Sequence, residues 1–312
     1  VELLYAANDI PTQVSQIETM IADGCQVLVI ASIDGDSLGT VLAQAKEANI
    51  PVIAYDRLIM NSDAVTYYAT FDNWLVGVKQ GEFIRDALDL DNAGDKTFNI
   101  EFITGDPGDN NINFFFDGAM SILTPYLEKG TLVCPSGQTE KAVVATANWA
   151  TDAAQARFET ILSSYYADGT QLDAVLCSND STAAGVAQAI ESDYAGSNTV
   201  MVTGQDGDIT NLQNIVDGKQ TMTVYKNVAD EAGVTRVLAQ ALLNGDTIDA
   251  SLCDKFSVTA AFDTESYENG TRAVTSFLLV PWSVDASNLQ KLVDTGNYKW
   301  DANNKYLEST AS

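Results

Sequence analysis

Short apolar runs recur between longer amphipathic stretches along most of this chain. The runs include "VELLYAA", "CQVLVIAS", "PVIAYD", "VTYYATFD", "FNIEFITG", "GTLVCPSG", "LDAVLCSND", "TVMVTGQDGD" and "TMTVYK". Between them the apolar spacing predicts helices over about Pro11 to Asp23, Asp36 to Asn49, Asn73 to Leu88, Asn113 to Lys129, Ala150 to Tyr166, Thr182 to Ser192 and Thr210 to Val216. Continuous apolar runs separated by helices are the pattern of strands covered on both faces, so parallel sheets with crossover helices follow. The predicted fold class is α/β, doubly wound.

Polar residues gather where the runs end. Asp34 follows "VLVIAS", Asp56 and Arg57 follow "PVIAY", Asp109 to Asn111 follow "FITGDPG", Asn179 and Asp180 follow "AVLCS", Gln205 and Asp206 follow "VMVTG", and Lys226 follows "TMTVY". In open α/β sheets, ligands bind outside the carboxyl ends of the strands. Asp, Asn and Gly in these places also serve as turn and N-cap residues, which leaves a structural reading open for each of them. Arg57 and Lys226 resist that reading, because a cation is unfavourable at a helix N-terminus.

Composition excludes several classes. The formal charge of -27 repels phosphate backbones and anionic lipid, which argues against nucleic acid as a partner. The chain has no histidine, the commonest general base, zinc nitrogen ligand and triad member. No apolar run approaches the roughly eighteen residues of a membrane span. The glycine turns of dinucleotide and P-loop phosphate sites are missing. The nearest calcium-loop match, Asp89, Asp91 and Gly94, has Ala93 where a ligand belongs and reads as a solvated loop. No cofactor or metal is expected. Cys25, Cys134, Cys177 and Cys253 are scattered singly, and Cys134 and Cys177 read as buried free thiols. At 312 residues, two domains of ordinary size can each bury a core.

The stretches "VLVIASIDG", "IPVIAYDRLI", "YYATFDNWLVG", "DNNINFFFDGAMSIL", "AVLCSNDSTAAG", "GQDGD" and "TMTVYKN" together resemble the periplasmic sugar-binding receptors of bacterial ABC transporters, in their xylose-binding and multiple-sugar-binding branch. The resemblance runs through nearly the whole chain in order. It implies two doubly wound parallel-sheet lobes joined by three hinge segments that close on a sugar. The crossings fall near residues 96, 226 and 280, giving one lobe of 1–96 and 227–280 and another of 97–226 and 281–312. The family's sugar ligands match Asp56 and Arg57 in the first lobe and Asn111, Asn179, Asp206 and Lys226 across the second lobe and hinge, with Trp149 and Phe115 as apolar walls. These residues are expected to line one cleft.

The implied ligand is a monosaccharide of the xylose, glucose, galactose or arabinose class. The implied partners are an ABC transporter permease and a chemoreceptor or sensor kinase, and the implied location is extracytoplasmic, in the periplasm or lipid-anchored at a Gram-positive surface. In the family a first strand and helix precede the segment matching "VELLYAAND", and this chain carries no match to them, so a central strand of the first lobe is expected to be missing. Two other readings stay open at this stage. One is the effector core of a sugar-responsive transcription regulator, which needs a basic helix-turn-helix ahead of the core. The other is a glycoside-processing enzyme, which needs a carboxyl group of raised pKa.

Overall fold

Three of the apolar runs become the parallel strands Leu28–Ile30, Val52–Tyr55 and Val65–Phe71. In the computed structural model, which describes residues 1–310, Ser276–Leu279 joins them in parallel and Ala260–Asp263 closes the far edge antiparallel. This sheet is the centre of a first unit, Val1–Asp72, Gly108–Asn111 and Asn227–Val280. Its core places Ile53, Ala69, Phe71, Phe277 and Leu279 against Val234, Leu238 and Ala241 of the helix Val228–Asn244. That helix lies beyond the predicted alternation, yet its signals are local. Asn227 caps its first turn by accepting from the Ala229 N–H, Asp230 and Glu231 follow, and Gly245 ends it at φ 71°.

The expected strand "VELLYAA" does not form: residues 1–6 are non-regular, with Leu3, Leu4 and Tyr5 exposed. An extended segment becomes a strand only where a neighbouring edge takes up its N–H and C=O groups, and among the described residues this one pairs with no strand. The sheet therefore ends at Leu28–Ile30.

The second unit contains Asn73–Pro107, Ile112–Lys226 and the chain from Pro281 on. Its main sheet runs Leu132–Val133, Phe98–Ile103, Ala174–Cys177, Met201–Val202, all parallel. A second group sets Met222–Tyr225 between Gln205–Asp206, parallel, and Trp282–Asp285, antiparallel. The chain order across the main sheet puts the first strand, Phe98–Ile103, between the second and the third, which makes its carboxyl end the topological switch point of a doubly wound sheet. The helix Thr151–Tyr165 packs on Asp180–Asp193 so closely that a β-carbon on Gly185 would lie 2.2 Å from the Thr151 carbonyl.

The units divide the chain differently from the expected lobes at two places, after Asp72 and at Gly108–Asn111, which falls with the first unit. The chain leaves the first unit after Asp72, not near residue 96. The helix Asn73–Ala87 belongs with the second sheet because Gly77 lets it meet the helix Asn111–Lys129, where a β-carbon would stand 2.0 Å from the Phe115 carbonyl. Its buried Gln80 donates from Nε2 to the carbonyls of Cys177, Ser178 and Gly204 at 3.1, 3.3 and 2.9 Å, tying the helix to the ends of two strands. No helix among the described residues is long and apolar enough to cross a membrane.

Candidate functional site

In the first unit, the strand Val52–Tyr55 ends in a tight turn with Asp56 at φ 60°, a conformation open to Asp because its short side chain can bond locally. The Asp56 carbonyl is held by the Tyr68 hydroxyl at 2.8 Å, the Thr70 hydroxyl at 3.0 Å and Asn111 Nδ2 at 2.9 Å. Asn111 Oδ1 in turn accepts from Tyr68 at 3.0 Å. Asn111 was expected on the second lobe and hinge, but it packs with the first unit because its amide is bonded to Asp56 and Tyr68. Burial keeps the Tyr68 hydroxyl protonated, its pKa well above the ordinary tyrosine value.

Arg57 pairs chiefly with Asp109, not with its neighbour Asp56. Its Nε lies 3.0 Å from Asp109 Oδ2 and 4.0 Å from Asp56 Oδ2. Asp109 is 4% exposed, and its Oδ1 also accepts from the Asn111 N–H at 3.0 Å. The guanidinium further meets the carbonyls of Ser32 and Ile33 at 3.4 and 3.3 Å. A planar fork held on several sides while still partly exposed is a preorganised donor for hydroxyl oxygens.

In the second unit, the polar groups surround aromatic rings. Asp206 Oδ1 lies 3.5 Å from Lys226 Nζ, and that ammonium stands 5.5 Å over the Phe115 ring. Phe115 is buried and meets Trp149 edge to face at 6.2 Å and 66°. Trp149 sits in the turn Ala147–Trp149 ahead of the helix Thr151–Tyr165, with Asn148 and Trp149 both at positive φ, 56° and 54°. The Asp106 carboxylate accepts from the Asn148 N–H, and the indole lies over Gly105, where a β-carbon would be 2.1 Å from its ring. Two successive residues in the left-handed region persist only when their surroundings fix them.

Asn179 caps the helix Asp180–Asp193: its Oδ1 accepts from the Thr182 N–H at 3.0 Å and from the Thr182 hydroxyl at 2.9 Å. The cap uses the oxygen, so the amide nitrogen is the end suited to a ligand. Asp180, fully buried, is pushed well above the usual carboxylate range by burial and by the Asp206 charge, against donors from Gln220 and Asp208.

The structure thus collects Asp56, Arg57 and Asn111 on the first unit, and Phe115, Trp149, Asp206 and Lys226 around one another on the second. Sequence reading placed Asp109 at a strand end but not among the sugar ligands, and it did not single out Tyr68. Asp109 stood in the same loop as Asn111 and could have been paired with Arg57, whereas nothing in "VTYYATF" marks Tyr68 as the buried hydroxyl.

Strand ends that carry cation and carboxylate pairs, one of them over an aromatic ring, suit small polyhydroxylated solutes. The chain belongs to a family described as the periplasmic binding protein domain, whose model matches residues 1–247. It is 44% identical over 304 residues to the multiple sugar-binding periplasmic receptor ChvE of Rhizobium radiobacter, covering 96% of this chain and 82% of that protein. It is 34% identical over 282 residues to the D-xylose-binding periplasmic protein of Escherichia coli, covering 90% of this chain and 76% of that protein. A solved ABC transporter solute-binding protein from Clostridium phytofermentans with bound beta-D-glucose superposes with a TM-score of 0.89 at 54% identity, covering 96% of this chain and 89% of the other.

Proposed function

We propose that this protein is an extracytoplasmic receptor that binds one monosaccharide, of the xylose, glucose, galactose or arabinose class, and delivers it to an ABC transporter permease. The observation that carries the proposal is the pairing of charges at strand ends: Arg57 with Asp109, and Lys226 with Asp206. Each sugar hydroxyl is both donor and acceptor, so a carboxylate and a cation can satisfy it from two sides with charge-assisted bonds. Asp56, Asn111 and Asn179 supply further acceptors and donors. Trp149 gives the apolar C–H face of a pyranose a surface to stack on, with Phe115 backing it. A chemoreceptor or sensor kinase is a second partner for the liganded form.

The role of Trp149 gives a direct test. Titrating D-xylose, D-glucose, D-galactose and L-arabinose into the protein should change its tryptophan fluorescence saturably with at least one of them. Trp149→Ala should abolish most of that signal and weaken binding by about 1 to 3 kcal/mol, the scale of a lost aromatic wall. An affinity unaltered in Trp149→Ala removes the indole from the site, and no response to any of the four sugars in wild type or by a second method rejects the proposal.

A further inference from the structure

Asp206 sits at φ 110°, a backbone conformation that residues with a side chain rarely adopt, and Gly207 follows at 83°. The turn that results sends the Asp206 carboxylate toward Lys226. Left to local preference, this turn would relax, so something beyond it must fix it.

Two groups do so. From one side, the buried Asp180 Oδ2 accepts from the N–H groups of Gly207 and Asp208, both at 2.9 Å. Asp180 is itself fixed: its Oδ1 accepts from Gln220 Nε2 at 2.9 Å, and its carbonyl from Asn211 at 2.8 Å. From the other side, the Tyr298 hydroxyl donates to the Gly207 carbonyl at 3.0 Å and also interacts with Tyr225, the residue before Lys226. The Tyr298 ring packs on Tyr225 at 5.8 Å, and a β-carbon on Gly207 would stand 2.6 Å from the Tyr225 ring. Tyr298 comes from the hairpin Tyr298–Trp300 and Leu307–Ser309, 91 positions along the chain from the Gly207 it holds. The hairpin is anchored by Leu307, fully buried, and by the Tyr306 hydroxyl on the Asp217 carboxylate at 2.9 and 3.1 Å.

We propose that Tyr298, on the C-terminal hairpin, is a positioning residue for sugar binding: with the Asp180 carboxylate it clamps the turn at Gly207 so that Asp206 is presented beside Lys226. This rests on the reading of Asp206 as a sugar ligand. The hairpin is then part of the binding apparatus, although it supplies no residue to the ligand itself. Tyr298→Phe keeps the ring and its packing and deletes only the hydroxyl.

The test is a double-mutant cycle read by isothermal titration with D-glucose and D-xylose. Tyr298→Phe alone should raise the Kd about 3- to 10-fold, the scale of one hydrogen bond. In the Asp206→Asn background it should change Kd by less than about twofold, whereas in the Trp149→Ala background it should keep its full effect. A role in stability alone would give the same loss in all three backgrounds and would overturn the proposal, as would no loss in the wild-type background. Gly207→Ala, which displaces the turn against Tyr225, should show the same dependence on Asp206 and serves if Tyr298→Phe fails to fold. If Asp206→Asn leaves Kd unchanged, or neither sugar binds wild type, the reading of the site fails and takes this proposal with it. If Asp206→Asn weakens binding and neither turn variant does, only the positioning role falls.

Discussion

At Arg57 the local sequence and the folded chain disagree about the partner. Asp56 is adjacent, but at 4.0 Å it is the weaker contact, while Asp109, brought in from a loop more than fifty positions away, lies at 3.0 Å and is nearly inaccessible. A carboxylate with that burial and two donors, Arg57 and the Asn111 N–H, cannot be replaced by an amide without turning one N–H against another. Asp109→Asn is therefore expected to weaken sugar binding by about 1 to 3 kcal/mol although Asp109 is not itself required to touch the sugar. Isothermal titration of the variant checks this. An affinity equal to wild type would mean that Asp56 suffices to orient the guanidinium. Asn179 shows the same economy of groups at another strand end. Its oxygen does serve as a cap, as the local sequence allowed, and capping alone leaves its amide nitrogen unused.

Where two helices cross, glycine decides how near they come, and the same substitution should have opposite signs at two places. At Gly77 a β-carbon would meet the Phe115 carbonyl at 2.0 Å and the Ala119 N–H nitrogen at 2.7 Å, backbone atoms that cannot step aside. At Gly233, inside the helix Val228–Asn244, nothing lies within 4 Å. Gly77→Ala should destabilise by about 1 to 3 kcal/mol or more through overpacking, and Gly233→Ala should stabilise by about 0.5 to 1 kcal/mol through helix propensity. Denaturant unfolding of both variants checks the pair, and a stabilising Gly77→Ala would contradict the helix crossing. The helices and inner strands were legible in the sequence because their apolar period is local. "VELLYAA" was misread for the opposite reason, since its pattern suits a strand but strand formation depends on a partner elsewhere. The helix Asn73–Ala87 was legible as a helix but not as part of the second unit, because its allegiance rests on Gly77 and on Gln80, which bonds carbonyls some hundred positions away. The strand-end residues were visible, Asp180 among them, but not the buried hydroxyl of Tyr68, nor that Asp180 turns to the N–H groups of Gly207 and Asp208.

Over the whole molecule the net charge is -27, and several weak acids are kept protonated inside the second unit. Burial and the nearby Glu101 push the Cys134 thiol up to about 11 from 9.0, and burial likewise raises Cys177, Tyr166 and Tyr298. In the unfolded chain these groups ionise at their ordinary values, so above about pH 9 the folded state holds more protons and stability falls as pH rises. Cys134→Ala should make that fall shallower between pH 9 and 11, as measured by thermal unfolding across the range, and an unchanged slope would place Cys134 outside the effect. The central proposal is that Arg57 and Asp206 each serve sugar binding. Isothermal titration of the bound sugar into wild type, Arg57→Ala and Asp206→Asn tests it most directly. One sugar per chain is expected, with each substitution weakening binding at least about tenfold, or ~1.4 kcal/mol. Two independent sites, or a loss on substituting one unit's residue and none on substituting the other's, would contradict it.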